Sequence, residues 1–319
     1  MTIESGKPLV IGISSRALFD LEVENTIFEE HGVAKYKEHQ REKEKEILQP
    51  GTAFYLIQHF LKLNDLDPGK PLVEIVVMSR NSPETAIRVL HSLEHYKFAI
   101  TRMAFAGGGP LHPYLDAFGV DLFLSRAVDD VQSAIDNGIP AAVICDPPKG
   151  YNPVEDQIRI AFDGDSVLFS DESEAIFKEK GLKEFSAHED AHRDTPLPDG
   201  PFAKLLKTLA LLQKKIPRNR WPVRIALVTA RSSPAHMRVI NTLRNWDVDI
   251  DEAFFMGGRP KDKVLEAFRA HIFFDDQDVH LGPAAKVVPA GKVPYKSSSA
   301  MARWEGKKVA LPVVLPAES

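Results

Sequence analysis

At 319 residues, 44% apolar and 27% charged, the chain has the composition of an ordinary globular protein and the length for about two domains. Its formal charge of −5 gives no electrostatic basis for binding polymeric nucleic acid or an anionic membrane surface. Cys145 is the only cysteine, which excludes an internal disulfide and a thiolate metal cluster. The start MTIESGKPLVIGISS lacks the basic and long apolar segments of a secretory signal. No apolar run approaches the ~20 residues that span a bilayer. A cytoplasmic protein is expected.

From the N-terminus, short β-like runs alternate with helical stretches, and the pattern is written twice at a shift of about 150 residues. Ala17-Leu18-Phe19 falls on Val167-Leu168-Phe169, and IFEEHG (Ile27 to Gly32) on IFKEKG (Ile176 to Gly181). VVMSRNSP (Val76 to Pro83) falls on LVTARSSP (Leu227 to Pro234). Gly107 to Pro110 falls on Gly257 to Pro260, and Leu122-Phe123-Leu124 on Ile272-Phe273-Phe274. Order and spacing both hold, which implies a tandem duplication: an α/β half over 1–150, a second over 151–300, and a tail over 301–319.

In the second half, strands are predicted near 158–163, 224–229, 252–256, 271–275 and 286–289, with helices over 202–215, 234–245 and 261–270. Such alternation predicts a parallel sheet covered on both faces, with the active site at the carboxyl ends of the strands. The polar, helical stretch 170–201 intervenes between the first strand and the next helix and is expected to cap the site; the repeat puts a similar insert in the first half. KYKEHQREKEKE, Lys35 to Glu46, reads as a solvated helix face.

The chemistry concentrates at four of these element ends. In AFDGDSVLF, Asp163 and Asp165 flank Gly164 at the end of an apolar run. Two acids so close repel unless a cation or a proton lies between them, and a hard divalent cation suits such an all-oxygen site. One can attack phosphorus while the other handles a proton. Thr229, followed by Ala230 and Arg231, ends the strand Ile225 to Val228, where a hydroxyl and backbone amides can hold a phosphate oxygen. Lys261 follows GGRP at a helix start, where the helix dipole disfavours a lysine unless an anion compensates; Lys263 is the competing choice. Asp275 and Asp276 end the very apolar strand His271 to Phe274 and form the far side of a metal site.

These groups occur in one half only. The repeat sets Ile13-Ser14-Ser15 opposite Asp163-Gly164-Asp165, Met78 opposite Thr229, Leu111 opposite Lys261, and Ser125-Arg126 opposite Asp275-Asp276. The apolar framework is kept while the chemistry differs. The second half is therefore the expected catalytic one, and the first a degenerate partner that completes the fold or the pocket. His188-Glu189-Asp190-Ala191-His192 matches the zinc-protease pattern, but its polar surroundings and missing third ligand favour an element of the cap over a zinc site.

The four motifs in this order resemble the haloacid-dehalogenase-like phosphatase superfamily. More narrowly, ISSRALF, AFDGDSVLFSDESE, LVTARSS, HIFFDDQ and the His188/Glu189/Ala191/His192 element resemble the cytosolic 5′-nucleotidase I family, in register up to about Tyr295. The resemblance implies two Rossmann-type halves and a magnesium-dependent hydrolysis of nucleoside 5′-monophosphates (AMP, IMP or deoxynucleotides) through an aspartyl phosphate. It makes Asp163 the nucleophile and Asp165 the acid/base. Thr229 and Lys261 hold the phosphoryl oxygens; apart from the resemblance, Ala230, through its backbone amide, and Arg231 are the further candidates for contact with the substrate. Asp163, the Asp165 backbone carbonyl and one of Asp275/Asp276 bind magnesium. A homo-oligomer is expected, since family members tend to be oligomeric. A phosphatase of another small monoester and a non-hydrolytic nucleotide-binding regulator are the competing readings.

Overall fold

Near-continuous runs of Val, Ile, Leu and Phe pair into one ten-stranded sheet in the computed structural model, which describes residues 7–154, 156–217 and 221–303. The strands are β1 (Leu9–Ile13), β2 (Val73–Ser79), β3 (Arg102–Phe105), β4 (Leu122–Ser125) and β5 (Ala141–Ile144), then β6 (Ile158–Phe162), β7 (Val223–Thr229), β8 (Glu252–Phe255), β9 (Ile272–Asp275) and β10 (Ala290–Lys292). Their order across the sheet is β3-β2-β1-β4-β5-β10-β9-β6-β7-β8. β1, β4 and β9 are buried along their whole length, as parallel strands covered on both faces require.

The helices are α1 (Ser15–Leu18), α2 (Glu22–Glu42), α3 (Phe54–Lys62), α4 (Ile87–His95), α5 (His112–Leu115) and α6 (Val128–Asp136), then α7 (Glu172–Ala191), α8 (Ala203–Lys215), α9 (His236–Asn245), α10 (Asp262–Phe268) and α11 (Asp278–Ala284). α2 and α7 are long and polar, and both bend where a glycine takes a positive φ, Gly32 (76°) and Gly181 (80°). Only glycine adopts that conformation without strain.

Every neighbouring pair of strands is parallel except β5 and β10, which run antiparallel, Ile144 opposite Gly291. The five strands of residues 1–150 therefore point opposite to the five of the second half. Their carboxyl ends emerge on opposite rims of the sheet.

The ladders also fix which residues occupy like positions. Ile13 lies between Val77 and Leu124, as Phe162 lies between Leu227 and Phe274. Ser14 and Ser79 thus stand where Asp163 and Thr229 stand, one residue on from the Ile13 and Met78 given by sequence matching. The first offset arises because the turn from Asp163 to Phe169 holds one residue more than the turn from Ser14 to Phe19. The second arises because Thr229 lies five residues before Pro234 whereas Ser79 lies four before Pro83, so that matching the prolines displaces the strand ends by one. Leu111 opposite Lys261 and Ser125-Arg126 opposite Asp275-Asp276 keep their places.

Three further expectations shift. The last strand lies at 290–292, not 286–289; Val288 packs in the core after α11 instead of joining a ladder. The helix expected over 261–270 is 262–268, ended by Arg269 in the left-handed region at φ 55°. The helix expected over 234–245 begins at His236. Residues 304–319 of the expected tail lie outside the described residues.

Candidate active site

β6 carries an apolar run into the middle of the second half-sheet and stops at Asp163. The Asp163 amide donates to the Phe274 carbonyl at 2.8 Å, tying the end of β6 to the end of β9. A side chain on Gly164 would meet Thr229: an ideal Cβ there lies 3.3 Å from Thr229 Oγ1. Glycine is what lets the first acidic loop pass under the end of β7. Ser166 then turns the chain back at φ 62°, and its hydroxyl donates to Glu174 of α7 at 2.9 Å.

Lys261, immediately before α10, places Nζ 2.9 Å from Asp163 Oδ1 and donates to Asp275 Oδ2 at 2.7 Å. The contact with Asp163 is an ion pair more than an aligned hydrogen bond. Asp163, Asp275 and Asp276 bring one carboxylate oxygen each within 4.8 Å of one another, all buried. Three carboxylates thus face one ammonium in a nearly dry space: Lys261 is 1% exposed and Asp275 and Asp276 are fully buried.

The charges behave accordingly. Burial, partly offset by Lys261, pushes the Asp163 carboxyl up to about 7. Burial raises Asp275, and burial with the Glu174 charge raises Asp276 well above the carboxylate range. Burial works against the Lys261 ammonium, but Asp163 and Asp275 outweigh it and hold its pKa above the usual lysine value.

Tyr295 donates to Asp276 Oδ2, whereas Asp276 Oδ1 is buried with no hydrogen-bond partner. An orphan acceptor beside an excess of buried negative charge fits a divalent cation, and an all-carboxylate donor set is that of a hard one.

The Asp165 carboxylate points away from this cluster. Arg231 grips it with two hydrogen bonds, Nε to Oδ2 at 2.8 Å and Nη2 to Oδ1 at 2.6 Å. The third arm of the same guanidinium donates to Glu189 on α7. Glu189 also accepts from Arg238 and from Ser173, each at 2.8 Å. Burial works against the Glu189 charge, but the two arginines and Ser173 more than compensate and lower its pKa. α7 is thereby fastened across the strand ends through a buried charge network.

Sequence reasoning therefore brought together Asp163, Thr229, Lys261, Asp275 and Asp276. Thr229 is 1% exposed, its hydroxyl accepting the Arg231 amide at 3.3 Å. Ala230 follows in the same loop. Lys263 lies inside α10, and Asp163 and Asp275 take Lys261 instead. What sequence reasoning missed is the ring beyond: Glu174, Glu189, Arg238, Gln277 and Tyr295. Gln277 donates to Glu174 Oε1 at 2.9 Å. The signal for Glu189 lay inside the HE..AH element. Its histidines are not poised for zinc: His188 and His192 stack at 4.2 Å, and the glutamate between them is spent on two arginines.

A model of the 5′-nucleotidase family matches residues 1–300. The chain belongs to the 5′-nucleotidase family. Human cytosolic 5′-nucleotidase 1B is 39% identical over 289 residues, which cover 88% of this chain and 47% of that protein. The chain thus spans about half the length of this relative. No solved structure matches the chain at a significant level. Among the described residues, no helix is long and apolar enough to cross a membrane.

Proposed function

We propose that the chain is a magnesium-dependent phosphomonoesterase that hydrolyses nucleoside 5′-monophosphates (AMP, IMP or deoxynucleotides) to nucleoside and phosphate. The observation that carries this is the set of three buried carboxylates around Lys261, with one carboxylate oxygen unpartnered, in a member of the 5′-nucleotidase family. The name of the human relative supports the same substrate class and a cytosolic setting. The partners expected are the nucleotide and further copies of this chain, with no nucleic-acid polymer and no membrane.

In this reading the second half, 151–300, is catalytic, α7 within 170–201 is its cap, and the first half is a degenerate duplicate. The common order of the two five-strand runs supports the duplication. Asp163, Asp275 and Asp276 would hold the cation, with the Asp165 backbone carbonyl as the resemblance implies. Bound there, magnesium would neutralise charge on the phosphoryl oxygens.

Asp163 attacks phosphorus, and the bond from phosphorus to the nucleoside 5′-oxygen breaks as an aspartyl phosphate forms. Asp165 gives its proton to that oxygen. It then takes a proton from water, which attacks phosphorus and frees Asp163 and inorganic phosphate. Lys261 and Thr229 hold the equatorial oxygens, supplying charge and alignment where the reaction needs both. Because Arg231 occupies both carboxylate oxygens of Asp165, that side chain reaches the leaving oxygen only after Arg231 lets go. Asp163 is 4% exposed, so admitting substrate also requires the Arg231 loop or α7 to move.

Phosphate release from a panel of nucleoside 5′-monophosphates and sugar phosphates, with magnesium and with chelator, tests this. Magnesium-dependent release from nucleotides that vanishes in folded Asp163→Asn is expected. Turnover of sugar phosphates alone would replace the substrate class. Tight nucleotide binding with no turnover would replace catalysis by a binding role.

A further inference from the structure

At the carboxyl ends of β1, β2 and β4 the first half encloses a cavity of about 440 Å³, within the range of small-molecule sites. It occupies the position in its half-sheet that the acidic cluster occupies in the other, but its charge is reversed. Ser14, Ser79 and Ser125 stand at the places of Asp163, Thr229 and Asp275, Leu111 at that of Lys261, and Arg126 at that of Asp276. Three acids and a lysine are replaced by two hydroxyls, an apolar side chain and an arginine, so no carboxylate cluster remains there to hold a cation.

Four cations line the cavity, Arg16, Lys37, Arg80 and Arg126, against two carboxylates, Glu24 and Asp130. Both carboxylates are already engaged: Glu24 by Arg88, and Asp130 by Arg80 Nε at 2.7 Å and the Leu111 amide at 2.9 Å. Arg16 and Arg126 share the partly exposed Glu22, at 3.0 and 3.2 Å, and Arg126 also pairs with the exposed Asp146 at 2.5 Å, so both arginines are held by solvent-facing carboxylates that a phosphate can displace. Two donors of lining residues, Arg16 Nε and Asn81 Nδ2, are buried with no hydrogen-bond partner. Buried donors without acceptors are rare in folded proteins and mark a place for an acceptor-rich ligand. On the α2 side, Phe28 meets Tyr36 edge to face at 5.9 Å and stays 46% exposed, leaving a ring surface open to a flat partner.

We propose that the first half binds a nucleotide without a metal ion and without cleaving it, the phosphate among Arg16, Asn81 and Arg126 and the base against Phe28. Ser14, at the place of Asp163, has its hydroxyl occupied in accepting the Ala17 amide at 3.2 Å, and among the described residues no base is hydrogen-bonded to it, so this is a binding site only. Because the two half-sheets point in opposite directions, it opens on the other rim from Asp163 and is separate from the active centre of its own chain.

Calorimetric titration of full-length Asp163→Asn protein in chelator, with AMP, inorganic phosphate and adenosine as probes, tests the assignment. AMP should bind without metal, and adenosine at least tenfold more weakly. Arg16→Ala/Arg126→Ala should weaken AMP and phosphate at least tenfold at an unchanged melting temperature. Should that variant fail to fold, Phe28→Ala at the surface should weaken AMP at least threefold and leave phosphate binding unaltered. No AMP binding up to millimolar concentration overturns the proposal. So does AMP binding that is indifferent to Arg16, Arg126 and Phe28, which would place the nucleotide at the catalytic half.

Discussion

Arg231 holds Asp165 in a forked ion pair while its remaining arm reaches Glu189, so one guanidinium joins the first acidic loop to the helix above it. Arg231→Ala leaves two carboxylates with a lost partner in a largely dry setting. Removing one member of a buried pair costs about 3 kcal/mol or more. A fall in melting temperature and at least a tenfold loss in kcat are expected. Arg231→Lys should not restore either, because an ammonium cannot make the forked contact. Wild-type turnover in a stable Arg231→Ala protein would show that the link serves neither purpose.

The close passage of Gly164 beneath Thr229 gives a steric prediction. Gly164→Ala sets a methyl group 3.3 Å from the Thr229 hydroxyl, tighter than most such contacts. Overpacking of this kind costs roughly 1–3 kcal/mol. The displaced hydroxyl should lower nucleotide hydrolysis at least tenfold. Adding Thr229→Ala should recover melting temperature but not activity, which separates the steric effect from the chemical one.

Thermal melting with and without cation reads the metal site independently of turnover. The buried carboxylates repel one another with only Lys261 between Asp163 and Asp275, so magnesium should raise the melting temperature. Asp276→Asn should melt higher than wild type in chelator, since its side chain no longer has to bury a charge or take up a proton on folding, and should lose most of the response to magnesium. An equal response in both proteins would take Asp276 out of the ligand set.

Stability should also depend on His271. Its ring is buried against His59, Nδ1 accepting the Arg159 amide at 3.1 Å and Nε2 lying 3.1 Å from the Val154 carbonyl. Burial pushes its pKa down from the usual 6.5 to about 3. The unfolded chain therefore binds a proton that the folded chain refuses. The stabilisation is complete above pH ~6.5 and is lost as the pH falls from there toward 3, with a limiting slope of about one proton. Denaturant titrations at successive pH values should show that slope in wild type and its reduction in His271→Asn.

The apolar strands and the four chemical loops were legible in the sequence because both are local patterns. A run such as Ile272-Phe273-Phe274 ending in two acids announces strand and site together. Tyr295 over Asp276 and Glu189 against Arg231 were not legible, since each contact joins elements brought together only by the fold. Glu189 shows the limit best. Its motif was visible, but the chemistry that motif usually signals is not the use made of it here. The one-residue error at Ser14 and Ser79 has a similar origin: sequence matching aligned letters, whereas the hydrogen-bond ladders align positions.

The antiparallel pairing of β5 with β10 has a practical side. It is a seam through the middle of a continuous sheet, so dividing the chain near residue 150 would bare backbone donors and acceptors along Ala141–Ile144 on one fragment and Ala290–Lys292 on the other. Exposed rows of that kind recruit other chains. The two halves are thus expected to behave as a single unit for expression, since each covers a strand edge that the other would otherwise leave bare.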